Sequence, residues 1–124
     1  MLTDAQKKYL FAIYKLGRNG TSVRSTEVSK MVGVSKASTV KMANRLIDEG
    51  YIVKAPYSAI TLTPDGIREA NALYTDWLII RDFLMKRVGL NGETADMDSV
   101  NMVMHMSDEA LEKFVSFSLA DHAS

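Results

Sequence analysis

A chain of 124 residues is sized for one domain, or for one compact domain with an appended helical part. It has no cysteine, so it carries neither a disulfide framework nor a thiolate metal site, and it suits a reducing compartment. The formal net charge of zero hides an asymmetry: residues 1–56 hold 10 basic and 4 acidic side chains, and residues 57–124 hold 5 and 11, so the halves carry +6 and −6. A polyanion is the expected partner of the first half.

The first expected element is a helix opened by Thr3 with Gln6 three residues on, a capping box. It carries Leu10, Ile13, Tyr14 and Leu16 inward and ends at Gly17. Its start, MLTDAQKKYL, holds no uninterrupted apolar stretch and is not read as a signal peptide. No run approaches a membrane span, so the expected location is the cytoplasm. An extended Ser22-Val23 leads to a short helix capped by Ser25 or Thr26, with Val28, Met31 and Val32 inward. Gly33 breaks it. Ser35 caps the next helix, whose inward stripe is read as Val40, Ala43, Leu46 and Ile47, and Gly50 stands where a left-handed stop belongs.

Two β-branched runs around APYS then form a small hairpin with Pro56 in its connection. Thr63 caps a long helix from about 64 to 88, with Pro64 at its first position and Lys86-Arg87 at its end. LNGET reads as a break, ADMDSVNMVMHM as a helix, and Ser107 as the cap of a last helix through about Ser118, followed by a frayed LADHAS.

Helix, turn, helix, hairpin is the order of a winged helix-turn-helix. The expected fold is mainly α: a winged helix-turn-helix DNA-binding domain over residues 1–63 with a small β-hairpin wing, followed by an all-helical dimerisation domain over 64–124. A helix entering the major groove by its N-terminus needs small polar side chains in its first turn and cations further along. The helix after Ser35 supplies Lys36, Ala37, Ser38, Lys41, Asn44 and Arg45. Lys54, Tyr57 and Ser58 sit where a wing meets the flanking backbone, and Ser35, Arg24 and Thr26 complete the candidate interface. The expected partner is double-stranded DNA with a palindromic operator. Leu73, Trp77, Ile80 and Leu84 form one stripe on the long helix, read as the homodimer interface.

The stretches YLFAIYKL, VRSTEVSKMVGVSKASTVKMANRLIDEGYI and ITLTPDGIREA resemble the N-terminal half of the diphtheria toxin repressor family of iron- and manganese-responsive regulators. The resemblance runs from about Asp4 to Ser118, is strongest through Ala70, and in length is to the short manganese-type members. It implies a homodimeric repressor with metal bound between a winged-helix domain and a helical dimerisation domain. It also places Ala37, Ser38, Thr39 and Lys41 in the base- and phosphate-contacting part of the recognition helix. The family's metal ligands fall on Lys8, Phe11 and Trp77, and its Glu-x-x-Glu-His type cluster near Val100, Val103 and Met104, with His105 one residue away. An ammonium, a phenyl ring, an indole and aliphatic groups are not ligands for a hard divalent ion.

The expectation is therefore a regulator without a metal cofactor, not switched by manganese or iron. A different effector would use a pocket near Phe11, Trp77, Val103, Met104 and His105. Met97, Met102, Met104 and Met106 with His105 suggest a soft-metal site, but methionines at i, i+2 and i+4 share no helical face, methionine more often fills core, and His105 reads as a helix-end histidine. The alternatives are a metal or small-molecule sensor with a rebuilt effector site and a winged-helix protein-interaction module. With no phosphate loop, no cysteine nucleophile and only two histidines, catalysis is not expected.

Overall fold

The computed structural model describes residues 2–18, 22–54 and 59–123, with the side chains of 121–123 excepted. The expected Pro56, Tyr57 and Ser58 at the hairpin tip, and the side chain of His122, lie outside the described residues. Two compact units result, Met1–Tyr74 and Thr75–Ser124, and the division falls inside the long helix rather than at its start.

In the first unit, α1 (Asp4–Gly17) begins with the expected capping box: the Gln6 amide donates to Thr3 Oγ1 at 3.1 Å, and the Thr3 amide to Gln6 Oε1 at 2.8 Å. Residues Tyr9 through Ile13 are all buried, so α1 is enclosed on several sides rather than on one stripe. It packs against α2 (Ser25–Val32), α3 (Lys36–Asp48) and the hairpin. The cap of α2 is Arg24, not Ser25 or Thr26. Arginine has no acceptor, and the Arg24 amide is instead satisfied by Glu27 Oε1 at 3.2 Å. Val28 is buried, whereas Met31 and Val32 are only half-buried. Gly33 and Gly50 end α2 and α3 at φ 82° and 83°, left-handed geometry that glycine adopts without strain.

Strands β1 (Ile52–Lys54) and β2 (Ile60–Leu62) pair antiparallel, with Ile52 opposite Leu62 and Lys54 opposite Ile60. Val23 adds a bridge to Ile60, so the extended residues before α2 form a third edge of the wing. The long helix α4 runs Pro64–Phe83 and continues as a π-helical turn, Leu84–Val88, closed by Gly89 at φ 88°. Thr63 Oγ1 accepts from the Gly66 amide at 3.1 Å and donates to the Gly50 carbonyl at 2.7 Å, tying α4 to the end of α3. The beginning of α4 belongs to the winged unit for a packing reason: Ala70 is buried, and Tyr74 meets the Tyr14 ring edge-on at 4.9 Å.

In the second unit, α5 spans Gly92–His105. It starts earlier than expected because Asn91, not a residue after LNGET, supplies the cap, accepting from the Thr94 amide at 2.8 Å. The last helix, α6, starts at Asp108 after Ser107 and runs to Ala123, well past Ser118. Phe83 stands edge-on to Phe114 and Phe117 at 5.6 and 5.9 Å. Among the described residues no helix is long and apolar enough to cross a membrane.

Candidate nucleic-acid interface

The geometry of α3 follows from its two faces. Ser35 caps it, accepting from the Ser38 amide at 3.1 Å while its hydroxyl donates to Ser38 Oγ at 3.0 Å. The buried face is Thr39, Ala43 and Leu46, with Met42 and Ile47 half-buried. This corrects the expected stripe by one position. Thr39, expected among the outward contacts, is 1% exposed, and Val40, expected inward, is 36% exposed. The Thr39 hydroxyl tolerates burial because it donates to the Ser35 carbonyl at 3.0 Å, leaving its methyl to pack.

The opposite face carries the remaining candidates. Lys36, Ala37, Ser38, Lys41, Asn44 and Arg45 are all exposed, and Ser38, Lys41, Met42 and Arg45 line one open depression. Arg24, Thr26, Ser35 and Lys54 are exposed too, while Tyr57 lies outside the described residues. Arg45 is held from behind: its Nε lies 3.9 Å from Glu49 Oε1, and Glu49 accepts from the buried Gln6 Nε2 at 3.1 and 3.2 Å. The Arg45–Glu49 spacing of four residues was readable as a helix ion pair, whereas the link to Gln6 was not, because it joins α1 to α3 across the fold.

The second-half candidates fare differently. Trp77, Ile80 and Leu84, read as a surface stripe for a partner copy, are 6%, 0% and 8% exposed in the single chain, and Leu73 is half-buried. They are core. Among the described residues of this half the large apolar side chains left in water are Leu78, Val88, Met97, Phe117 and Leu119, and Leu78 and Leu119, at 45% and 50%, line a groove with Ile79, Phe83 and Lys86. For the expected effector pocket, Phe11 is buried in the first unit, Val103 and Met104 are buried in the second, and His105 is exposed.

A metal-switched regulator needs oxygen and imidazole donors gathered at one point. Among the described residues no three His, Asp or Glu side chains come together. Phe11 and Trp77 are buried hydrocarbon and indole, Lys8 is half-buried, and none of the three side chains is by its chemistry a ligand for iron or manganese.

Comparison with known proteins gives consistent results. The family model described as "Iron dependent repressor, N-terminal DNA binding domain" matches residues 1–60. An uncharacterised HTH-type transcriptional regulator of Methanocaldococcus jannaschii is 31% identical over 117 residues, 94% of each chain. The transcriptional regulator MntR of Escherichia coli O6:H1 is 30% identical over 110 residues, 89% of this chain and 70% of that protein. Against MntR of Salmonella typhimurium, 32% identical over 95 residues, the chain covers only 60% of the relative's length. Among solved structures, IdeR of T. acidophilum superposes over all of this chain and 55% of its own, with a TM-score of 0.72 at 21% identity. A manganese-dependent transcriptional repressor in complex with manganese gives a TM-score of 0.66 at 19% identity, over 91% of this chain and 52% of that one. The chain thus spans about half the length of these solved chains. With its capped recognition-type helix, paired wing strands and these relatives, the chain belongs to the iron-dependent repressor family, the family of the diphtheria toxin repressor.

Proposed function

We propose that this protein is a homodimeric transcriptional regulator of the cytoplasm that reads a palindromic operator with the outward face of α3, and that iron and manganese do not switch it. The observation that carries the reading is the division of α3 into a buried Thr39–Ala43–Leu46 face and an exposed face of Ser38, Lys41, Asn44 and Arg45 behind a small first turn. Small residues let the helix N-terminus approach base edges, while Lys41 and Arg45 stand where phosphates flank the groove. Lys54 extends the contact from the wing.

Metal independence is supported by the chemistry of Phe11 and Trp77, the buried side chains at the positions where the resemblance puts the family's ligands. Dimerisation is supported by Leu78, Phe117 and Leu119, large apolar side chains exposed on α4 and α6, because apolar side chains gathered in water mark interfaces. Two copies would present their recognition helices to half-sites about 34–36 Å apart, or a multiple of that.

The test is a duplex recovered by selection from a random library, titrated at several salt concentrations. Neutralising Lys36, Lys41 and Arg45 together, all exposed and so dispensable for folding, should weaken binding at least about 100-fold and flatten the salt dependence by about one unit per lost phosphate contact. Unchanged affinity in the triple variant would sink the reading.

A further inference from the structure

The winged unit holds a groove of about 470 Å³ between the end of α1, Val23 and β2, within the size range of small-molecule sites. None of the DNA-facing candidates lines it. Its floor includes Ile13, Val23 and Ile60, which are 3%, 3% and 2% exposed, and Ile67, an isoleucine 42% exposed to water. Its rim carries Tyr14 and Arg18.

Arg18 is unusually placed for a surface cation. Its guanidinium carbon lies 5.4 Å from the Tyr14 ring centre and 5.5 Å from that of Tyr74, and one of its nitrogens is 3.4 Å from the Tyr14 hydroxyl. Among the described residues it pairs with no carboxylate, and residues 19–21 and 55–58, which lie outside the described residues, include no acidic residue in the sequence. Contact with two rings orients a guanidinium and leaves its fork of donors for a planar anion. An apolar floor with one oriented, unneutralised cation at its rim is complementary to one kind of molecule.

We propose that this groove is an effector site for a small aromatic carboxylate, the ring on the isoleucine floor and the carboxylate on Arg18. Occupancy has a direct route to the wing, because Ile60 in the floor is the β-partner of Lys54. A ligand pressing on β2 shifts the strand pair that carries Lys54, and so changes DNA affinity. That consequence rests on the DNA-binding reading; the site does not.

The test uses the full chain, indole-3-acetate, and its neutral twin indole-3-acetamide, followed by amide nitrogen–proton correlation spectra without DNA. The acid should shift the amides of Gly17, Ser22, Ala59 and Thr61 saturably, with a dissociation constant of about 1 mM or below, as expected for about 13 heavy atoms at modest efficiency. The amide should bind about tenfold more weakly, the difference made by a charge-assisted hydrogen bond. Arg18→Gln, at an exposed position, should abolish that difference while keeping a dispersed spectrum, and Ile67→Trp should block both ligands. Equal binding of acid and amide, shifts confined to other residues, indifference to Arg18→Gln, or no saturable binding would each overturn the site. With the groove saturated, DNA affinity should change in the wild type and not in Arg18→Gln. Unchanged affinity in the wild type overturns the coupling, whereas a protein that binds no DNA at all would refute the regulator reading and leave the spectra to decide the site.

Discussion

Thr39 and Val40 show how narrow the margin is between a core residue and a contact residue. Both lie three or four residues from Ala43, one turn of the helix, and hydrophobicity alone favours Val40 for the inside. The structure buries Thr39 because its hydroxyl finds the Ser35 carbonyl within its own helix, which removes the penalty for an unpaired polar group. Asp76, half-buried on α4, shows the opposite situation: burial pushes its carboxyl up from the ordinary 3.8. The folded state therefore binds a proton more tightly than the unfolded one. Stability from this site is greatest below the ordinary carboxylate pKa and declines as pH rises towards the raised folded value, staying lower above it. Asp76→Asn, which mimics the protonated form, should raise the melting temperature near neutral pH and leave it nearly unchanged in acid. Melts followed by circular dichroism across that range check this, and an equal shift at every pH would contradict it.

At the level of elements, the junction of wing and long helix depends on one close approach. Gly66, in the first turn of α4, lies so near the Tyr51 backbone that a Cβ would collide with the carbonyl oxygen. The same carbonyl accepts from the Thr63 amide at 3.0 Å, so neither backbone is free to withdraw. Gly66→Ala should consequently destabilise the chain by about 2 kcal/mol or more, despite alanine's better helix propensity. Denaturant titration measures it, and a neutral or stabilising effect would mean the approach is looser than described. The recognition helix has its own anchor, the Gln6–Glu49 contact from the start of α1 to the end of α3, which also holds the base of Arg45.

For the whole molecule the question is what covers Leu78, Phe117 and Leu119. A second copy is the proposed answer, and it makes the residues of the original stripe behave differently from these. Leu78→Glu should convert a dimer sedimenting at tens of micromolar into a folded monomer with strongly weakened operator binding. Trp77→Ala removes a buried side chain and should instead lower stability by about 3–5 kcal/mol. A wild type that sediments as a monomer refutes the dimer. Metal response is likewise a property of the whole assembly. Operator affinity should be the same in chelator and in excess Mn(II), and an isotherm for Mn(II) that also tightens DNA binding would reverse that conclusion.

Local chemistry alone determined much of this protein. The Thr3–Gln6 capping box, the Ser35, Thr63 and Ser107 caps, the left-handed Gly33 and Gly50, and the hairpin all follow from interactions within a few residues, and each stands where the sequence places it. The resemblance carried by residues 4–70 was equally readable, since it lies in contiguous motifs. Tertiary packing decided the rest. Which of two adjacent residues on α3 turns inward depends on the angle at which that helix meets its neighbours, and helical periodicity fits both. Whether Trp77, Ile80 and Leu84 face a partner or the chain's own core depends on what surrounds α4, and an apolar stripe looks the same in either case. The Arg18 groove is a product of packing altogether, because its floor draws on α1, Val23, β2 and α4, segments that no spacing in the sequence brings together.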